Sequence, residues 1–147
     1  MTDDTMTDDT MALAERFTDA LHALDKDADA LDDMVALFAE DATLENAALD
    51  LEGETREGTD GARAFWDTYR KQFARAETTF HHVTAGDGGE AGGPAAGLFW
   101  TTRGESPDGQ SLDYHGATLL AFDGDGKVKR FRGYYDTRQL EMEKPAG

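Results

Sequence analysis

The stretch that decides the fold lies near the end of the chain. It reads Ala121-Phe122-Asp123-Gly124-Asp125-Gly126-Lys127-Val128, followed by Arg130-Phe131-Arg132-Gly133-Tyr134-Tyr135-Asp136. Apolar residues on either side of an Asp/Gly turn are typical of two strands joined by a hairpin. Side chains alternate along a strand, so Phe131, Gly133 and Tyr135 share one face. The segment therefore predicts the last two strands of a sheet.

The rest of the chain divides into a helical half and a strand half. Apolar residues at helical spacing predict three helices, from Leu13 to Leu24, over 30–38 and over 59–75. A short strand and loop are expected over 42–51. Alternating and β-branched residues then predict strands over 78–84, 96–103, 111–122 and 127–135. Helices followed by a meander of strands predict an α+β domain.

Length and composition limit the classes of protein that remain. With 147 residues and no cysteine, we expect one domain without disulfides. Residues 1–10 repeat Met-Thr-Asp-Asp-Thr twice, which predicts a disordered acidic lead before a single domain over 11–147. No apolar run reaches the roughly 20 residues of a membrane span, and the start lacks the features of a signal peptide. We therefore expect a cytoplasmic protein.

The charge is strongly acidic, with 31 Asp and Glu against 14 Lys and Arg, a net charge of -17. Such a chain repels nucleic acid and anionic membranes, so neither is an expected partner. The acids are spread along the chain among apolar residues. This pattern indicates a folded protein of a high-salt cytoplasm, where ions screen the repulsion.

Five pieces of sequence together suggest a family. They are Phe38-Ala-Glu-Asp41, Phe65-Trp66-Asp67-Thr68-Tyr69, Phe99-Trp100, Gly126-Lys127-Val128 and Tyr134-Tyr135-Asp136. In this order and spacing they resemble the SnoaL-like group of the nuclear transport factor 2-like superfamily. The resemblance implies a cone in which about three N-terminal helices pack on a strongly bent antiparallel or mixed sheet. It also implies a small apolar or amphipathic ligand in the cone and a homodimer through the outer sheet face.

One branch of this superfamily, the limonene epoxide hydrolases, is disfavoured. Gly133 stands where that branch has its catalytic aspartate, and Leu44 replaces a tyrosine that positions water, although Asn46 matches. The same comparison implies that Phe131 and Tyr135 face the cone. It makes Asp136 a helix cap rather than a base.

The strand over 111–122 offers the main catalytic candidates. Asp113 and His115 share one face and could form an imidazole base oriented by a carboxylate. If that face is the outer one, Tyr114 is the pocket residue instead. Alternation alone leaves both orientations open, and we favour Asp113 and His115 inside. The adjacent His81 and His82 are expected on opposite faces, so they cannot share a metal ion.

Two further groups have a structural and a functional interpretation. Trp66, Tyr69 and Trp100 either pack in the core or form the aromatic walls of a cavity for a flat apolar ligand. The cluster of Lys127, Lys129, Arg130 and Arg132 either forms ion pairs on the outer sheet face or binds an anion.

These residues predict acid–base chemistry without cofactor or metal, namely isomerisation, cyclisation or dehydration. His115 would be the base, Asp113 would orient it, and Tyr135 and Asn46 would form hydrogen bonds to the substrate. On this hypothesis His115→Ala abolishes turnover. The alternative is a non-catalytic ligand-binding or dimeric interaction module, favoured by the apolar residues at 44 and 133.

The acidic composition predicts a salt-dependent fold. Molar KCl screens the repulsion among the carboxylates, so the unfolding temperature followed by circular dichroism should rise steeply with KCl concentration. Equal stability in dilute buffer would contradict the high-salt interpretation.

Overall fold

The computed structural model describes residues 2–47, 49, 53–87 and 93–135. The α-helices that can be bounded within these residues are α1 (Thr2–Lys26), α2 (Leu31–Val35), which follows a 3-10 turn (Ala28–Ala30), and α3 (Gly58–Lys71). The strands in the same part of the chain are β1 (Phe38–Asn46), β2 (Arg56–Glu57), β3 (Arg75–Asp87), β4 (Pro94–Glu105), β5 (Ser111–Phe122) and β6 (Val128–Tyr135).

The strands form one open mixed sheet in the order β2-β1-β6-β5-β4-β3. Only the β1–β6 pair is parallel, and all other neighbours in the described sheet are antiparallel. Helix α1 packs against β3 and β4, and α3 packs against β1 and β2. The predicted α+β class, three helices on a mixed sheet, is confirmed.

The predicted hairpin between the last two strands is present. The Asp123 Oδ1 atom accepts hydrogen bonds from the backbone N–H groups of Asp125 and Lys127, both at 2.9 Å. Gly126 has a φ of 80°, a conformation that glycine adopts without strain. Aspartate and glycine thus fix the turn between β5 and β6 through their side-chain and backbone chemistry. Asp136, the expected helix cap, lies outside the described residues.

Strand β1 begins earlier than the sequence predicts. The helical pattern places Phe38 at the end of a helix over 30–38, but α2 ends at Val35 and Phe38 pairs with Val128 of β6. The Phe38 ring lies 6.2 Å from that of Trp66 and 6.4 Å from that of Phe131. Burial among these rings in the core outweighs the local helical pattern.

Helix α1 runs through most of the repeat that predicts a disordered lead, since it starts at Thr2. Thr10, at the end of that repeat, is 2% exposed. The division into a lead over 1–10 and a domain over 11–147 stays a prediction. None of the described helices has the length and apolar character to span a bilayer.

The outer face of the sheet carries ion pairs and exposed aromatic rings. Arg130 and Arg132 of β6 pair with Glu45 of the adjacent β1, at 3.6 Å and 2.8 Å. Two of the four clustered cations therefore have the structural role that the sequence allows. Phe99 and Tyr134 are exposed, and both lie in register with Ala117 of the strand between them.

Candidate functional site

A cavity of about 350 Å³ lies between the helices and the inner face of the sheet. This volume falls in the usual range for small-molecule pockets, which begins near roughly 300 Å³. Residues from all six strands and from α1 and α3 contribute to its wall. The lining residues are Phe17, Leu21, Asn46, Leu49, Arg56, Phe65, Trp66, Thr68, Tyr69, Gln72, Thr78, Phe80, Trp100, Thr102, Tyr114, Thr118, Phe131, Gly133 and Tyr135.

Inner-face residues of neighbouring strands form rows across the sheet, and these rows explain where the cavity begins. One row is solid core, with Ala96, Leu120, Phe131 and Leu44 in register. The next row contains Leu98, Thr118, Gly133 and Asn46. Because the second row has a glycine, a threonine and an asparagine in place of large apolar side chains, open space starts there.

The next two rows form the aromatic and polar parts of the wall. Phe80, Trp100, Gly116 and Tyr135 are in register, and so are Thr78, Thr102 and Tyr114. A Cβ atom on Gly116 would overlap the Tyr134 carbonyl oxygen and lie 3.0 Å from atoms of Trp100 and Tyr135. The close approach of β5 to β6 at this point therefore requires glycine.

The six residues that the sequence predicts as pocket-forming all line this cavity. Their roles in binding a substrate stay predictions. Asn46 is oriented by its Oδ1 atom, which accepts a hydrogen bond of 2.8 Å from the Leu49 N–H. The alternation predicted for the last strand is also present in the structure. The six residues are Asn46, Trp66, Tyr69, Trp100, Phe131 and Tyr135.

The favoured orientation of the strand over 111–122 is wrong. Asp113 and His115 are exposed on the outer face, and Asp113 forms an ion pair of 3.3 Å with the exposed Arg103. Tyr114, between them, is 5% exposed and lines the cavity. The Tyr114 ring packs against those of Trp100 and Phe73, which fixes this face inward. His115 therefore cannot reach a molecule in the cavity as a base.

The two adjacent histidines lie on the same face of the sheet, which corrects the expectation of opposite faces. A β-bulge between Phe80 and His82 adds one residue to β3, so the alternation of side chains is interrupted. The His81 Nε2 atom lies 2.8 Å from Thr101 Oγ1, and the His82 ring packs on Phe99. Both partners belong to the outer face.

A buried acid behind the cavity wall was missed at the level of sequence. Asp25 of α1 is 5% exposed, and its Oδ1 atom accepts a hydrogen bond of 2.7 Å from the Tyr69 hydroxyl. That hydroxyl lies 3.4 Å from Thr78 Oγ1, which lies 2.9 Å from Thr102 Oγ1. A chain of four polar side chains thus runs from a buried carboxyl to the cavity.

Burial raises the pKa of Asp25 above its ordinary value of 3.8, and hydrogen bonds from Tyr69 and Thr78 and the charge of His22 offset this in part. Among the described residues, the Asp25 Oδ2 atom has no hydrogen-bond partner. Burial, followed by the negative charge of Asp25, raises the pKa of Tyr69 well above 10.0. Of these two groups, the carboxyl is therefore the one that gains or loses a proton below pH 10.

A signal for Asp25 was present in the sequence. The residue follows Leu21 by four positions and Leu24 by one, so it lies on the apolar face of α1. An acid on the buried face of a helix is rare unless it has a polar partner. In a chain with 31 acids, the composition hides this one exception.

The cavity wall contains one further unusual polar atom. Trp66 is 2% exposed, and its Nε1 donor has no hydrogen-bond partner among the described residues. In the described ranges, no Asp, Glu or His lines the cavity. The same part of the chain has no cluster of three or more His, Cys, Asp or Glu suited to a metal ion.

Sequence comparison identifies the family. The model of the SnoaL-like domain matches residues 14–131, and the chain therefore belongs to the SnoaL-like domain family. No protein of curated function matches the sequence.

Solved structures share the fold at low sequence identity. An NTF2-like protein of unknown function from Burkholderia pseudomallei has a TM-score of 0.74 and 18% identity, covering 94% of this chain and 98% of that one. The pinacolase BvnE from Penicillium brevicompactum has a TM-score of 0.70 and 14% identity, and the match covers 92% of this chain and 91% of BvnE. SalBIII, an epoxide hydrolase/cyclase-like enzyme in pyran ring formation in the polyether salinomycin, has a TM-score of 0.68 and 16% identity. The match covers 88% of this chain and 94% of SalBIII.

The raised pKa of Asp25 predicts a pH-dependent cost to stability. Between pH 3.8 and the raised value the folded state holds a proton that the unfolded state has lost, so wild-type stability falls as pH rises through this window. Asp25→Asn keeps an acceptor for Tyr69 and carries no charge. Its free energy of unfolding relative to wild type, measured with urea, should therefore increase with pH.

The control for this measurement is Asp19→Asn, which removes an exposed acid from the same helix. It separates the effect of burial from the relief of general repulsion. An equal pH dependence of the free energy of unfolding in the two variants would contradict the assignment of Asp25 as a buried acid with a raised pKa.

Proposed function

We propose that this protein binds a small, largely apolar molecule in the conical cavity and performs cofactor-free acid–base chemistry on it, as an isomerase, cyclase or dehydratase. The observation that carries the proposal is the composition of the cavity wall. Aromatic and aliphatic side chains surround the space, and several hydroxyl and amide groups converge on it: Asn46, Tyr69, Thr78, Thr102, Tyr114, Thr118 and Tyr135.

A buried polar atom in the cavity wall supports a polar ligand group. Trp66 Nε1 has no hydrogen-bond partner within the described residues. A buried polar atom without a partner costs about 1–3 kcal/mol, so such atoms usually have one. A bound molecule with oxygen or nitrogen atoms would supply it. The named activities of the similar pinacolase and cyclase-like enzymes agree with this proposal.

A non-catalytic ligand-binding module is the second candidate. It is favoured by the lack of any described Asp, Glu or His in the cavity wall, since a base must reach its proton directly or through one intermediate. Leu44 and Gly133 add no polar group to the wall either. The two candidates differ in whether the bound molecule leaves the cavity chemically changed.

A side chain placed at position 133 should block the cavity. A Cβ atom added to Gly133 would lie 3.4 Å from the nearest atom, Asn46 Cβ, so Gly133→Leu fits the strand and fills cavity space. We expect the variant to bind 2-ethylnaphthalene at least about tenfold more weakly than wild type, a loss of roughly 1.4 kcal/mol. Equilibrium dialysis measures this.

His115→Ala is the matched control, because His115 is exposed on the outer face. Its affinity for 2-ethylnaphthalene should equal that of wild type. Undiminished binding by Gly133→Leu would refute the cavity as the binding site.

To separate the two candidates, the molecule extracted from the purified protein is identified by mass spectrometry and returned to ligand-free protein. Rearrangement or loss of water supports the enzyme, and unchanged recovery supports the binding module.

A homodimer through the outer sheet face is part of the proposal. Phe99 and Tyr134 expose 47% and 50% of their surface, and they flank Ala117 in one row. The rim carries both signs of charge, with the Arg103–Asp113 pair on one side and Arg132 with Glu45 on the other. A second copy offers the same mixed charges, so an isologous contact is electrostatically self-complementary.

Phe99→Glu should separate this dimer into monomers. The substitution puts a charge at the centre of the apolar row, and its exposed position leaves the fold intact. Sedimentation velocity should give a dimer for wild type and a 16.0 kDa monomer for the variant. A monomeric wild type would refute the interface.

The high-salt cytoplasm completes the proposal. The net charge of -17 supports it, and the absence of any long apolar helix among the described residues agrees with it. On this proposal the acidic composition is an adaptation to the salt concentration around the protein and has no part in substrate binding.

A further inference from the structure

The four polar side chains that begin at Asp25 have a defined hydrogen-bond direction. A carboxylate can only accept hydrogen bonds, whereas tyrosine and threonine hydroxyls can donate one and accept others. The single Tyr69 proton is directed at Asp25 Oδ1, at 2.7 Å. Once that proton is committed, the Tyr69 oxygen can only accept a hydrogen bond from another partner.

The same direction extends along the chain toward the cavity. Thr78 Oγ1 lies 3.4 Å from the Tyr69 oxygen and 2.9 Å from Thr102 Oγ1. Tyr69 has no proton left for this pair, so Thr78 gives its single proton either to the Tyr69 oxygen or to Asp25. In both cases Thr102 is the donor to Thr78. Such chains strengthen each bond cooperatively. The oxygens of Tyr69, Thr78 and Thr102 are therefore left as acceptors toward the cavity.

We propose that Tyr69 accepts a hydrogen bond from a hydroxyl group of the bound molecule, takes up the proton of that hydroxyl and gives its own proton to Asp25. The ligand is accordingly an apolar molecule that carries an alcohol or phenol. This inference rests on the proposed function and names its substrate class. It also gives the cavity a base, although no carboxylate or imidazole of the described residues lines the wall.

The proton transfer balances within three groups. The ligand O–H bond breaks and its proton joins the Tyr69 oxygen, while the Tyr69 O–H bond breaks and its proton joins Asp25 Oδ1. The ligand oxygen keeps the electron pair and becomes nucleophilic. Tyr69 ends as it began, so its own high pKa is no obstacle, and Asp25 is the final proton acceptor.

The groups around Asp25 define how this base responds to pH. His22 lies one turn earlier on α1, Tyr69 faces Asp25 from α3, Thr78 from β3, and Tyr114 of β5 is within electrostatic range. The tyrosines are neutral throughout the physiological range, because burial raises the pKa of Tyr69 and of Tyr114. The charge of His22 acts directly on Asp25, so an experiment must control for this residue.

The test compares three naphthalenes of similar size by equilibrium dialysis. 2-Naphthylmethanol offers a hydroxyl donor, 2-acetylnaphthalene offers only an acceptor, and 2-ethylnaphthalene offers neither. At pH 8 wild type should bind the alcohol about tenfold more tightly than the hydrocarbon, and also more tightly than the ketone, which offers Tyr69 no donor. Tyr69→Phe should lose the preference for the alcohol and keep its affinity for the hydrocarbon. Tyr134→Phe, on the outer face, should behave as wild type.

The pH profile separates proton transfer to Asp25 from simple packing. As pH falls through the pKa of Asp25, the protonated carboxyl can donate to Tyr69 and free the tyrosine proton for the ligand. The preference should then shift from the alcohol to the ketone. Asp25→Asn should abolish this shift, and His22→Gln should preserve it. These measurements decide the matter even if Tyr69→Phe fails to fold.

The outcomes distinguish this inference from the function on which it rests. Equal binding of the three compounds at pH 8, or tighter binding of the ketone, overturns the inference and leaves the proposed cavity ligand standing. A pH shift that survives in Asp25→Asn overturns it as well. If none of the three compounds binds, the proposed function fails and the assignment of Tyr69 and Asp25 fails with it.

Discussion

The parallel pairing of β1 with β6 is the constraint on which the rest of the structure depends. It joins the helical half of the chain to the meander of the strand half, with Leu44 beside Phe131 and Asn46 beside Gly133. Helix α3 packs against β1, so the pairing of β1 with β6 also positions Phe65, Trp66 and Tyr69 of α3 over the sheet. Without it, the cavity would lack one wall and the core would be open to water.

The sequence was sufficient for the fold class and for six of the 19 described residues that line the cavity. Phe131, Gly133 and Tyr135 could be assigned to one face, because side chains alternate along a strand. The family resemblance then indicated that this face is the one turned to the cavity. For the strand over 111–122 no matching motif indicated which face is turned to the cavity, so alternation alone could place either Tyr114 or His115 there. Ring packing of Tyr114 against Trp100 of β4 and against Phe73, which follows α3, decides between them, and those contacts join residues far apart in the sequence.

Two other features needed three-dimensional information for different reasons. The bulge at His81 adds a residue to one strand, and no local composition distinguishes it from regular alternation. The partnership of Asp25 with Tyr69 joins α1 to α3 across 44 positions. The unusual position of Asp25 was readable from its helical spacing, but its partner was not. Sequence thus predicts which side chains are buried more readily than what they meet there.

The rows across the inner face have a consequence for how this cavity can change in evolution. Successive inner residues of a strand lie two positions apart, about 7 Å along it. The depth of the cavity therefore depends on which row first fills with large apolar side chains, and here that is the row of Leu120 and Phe131. Relatives with this sheet would accommodate longer or shorter molecules in increments of one row, rather than by gradual widening.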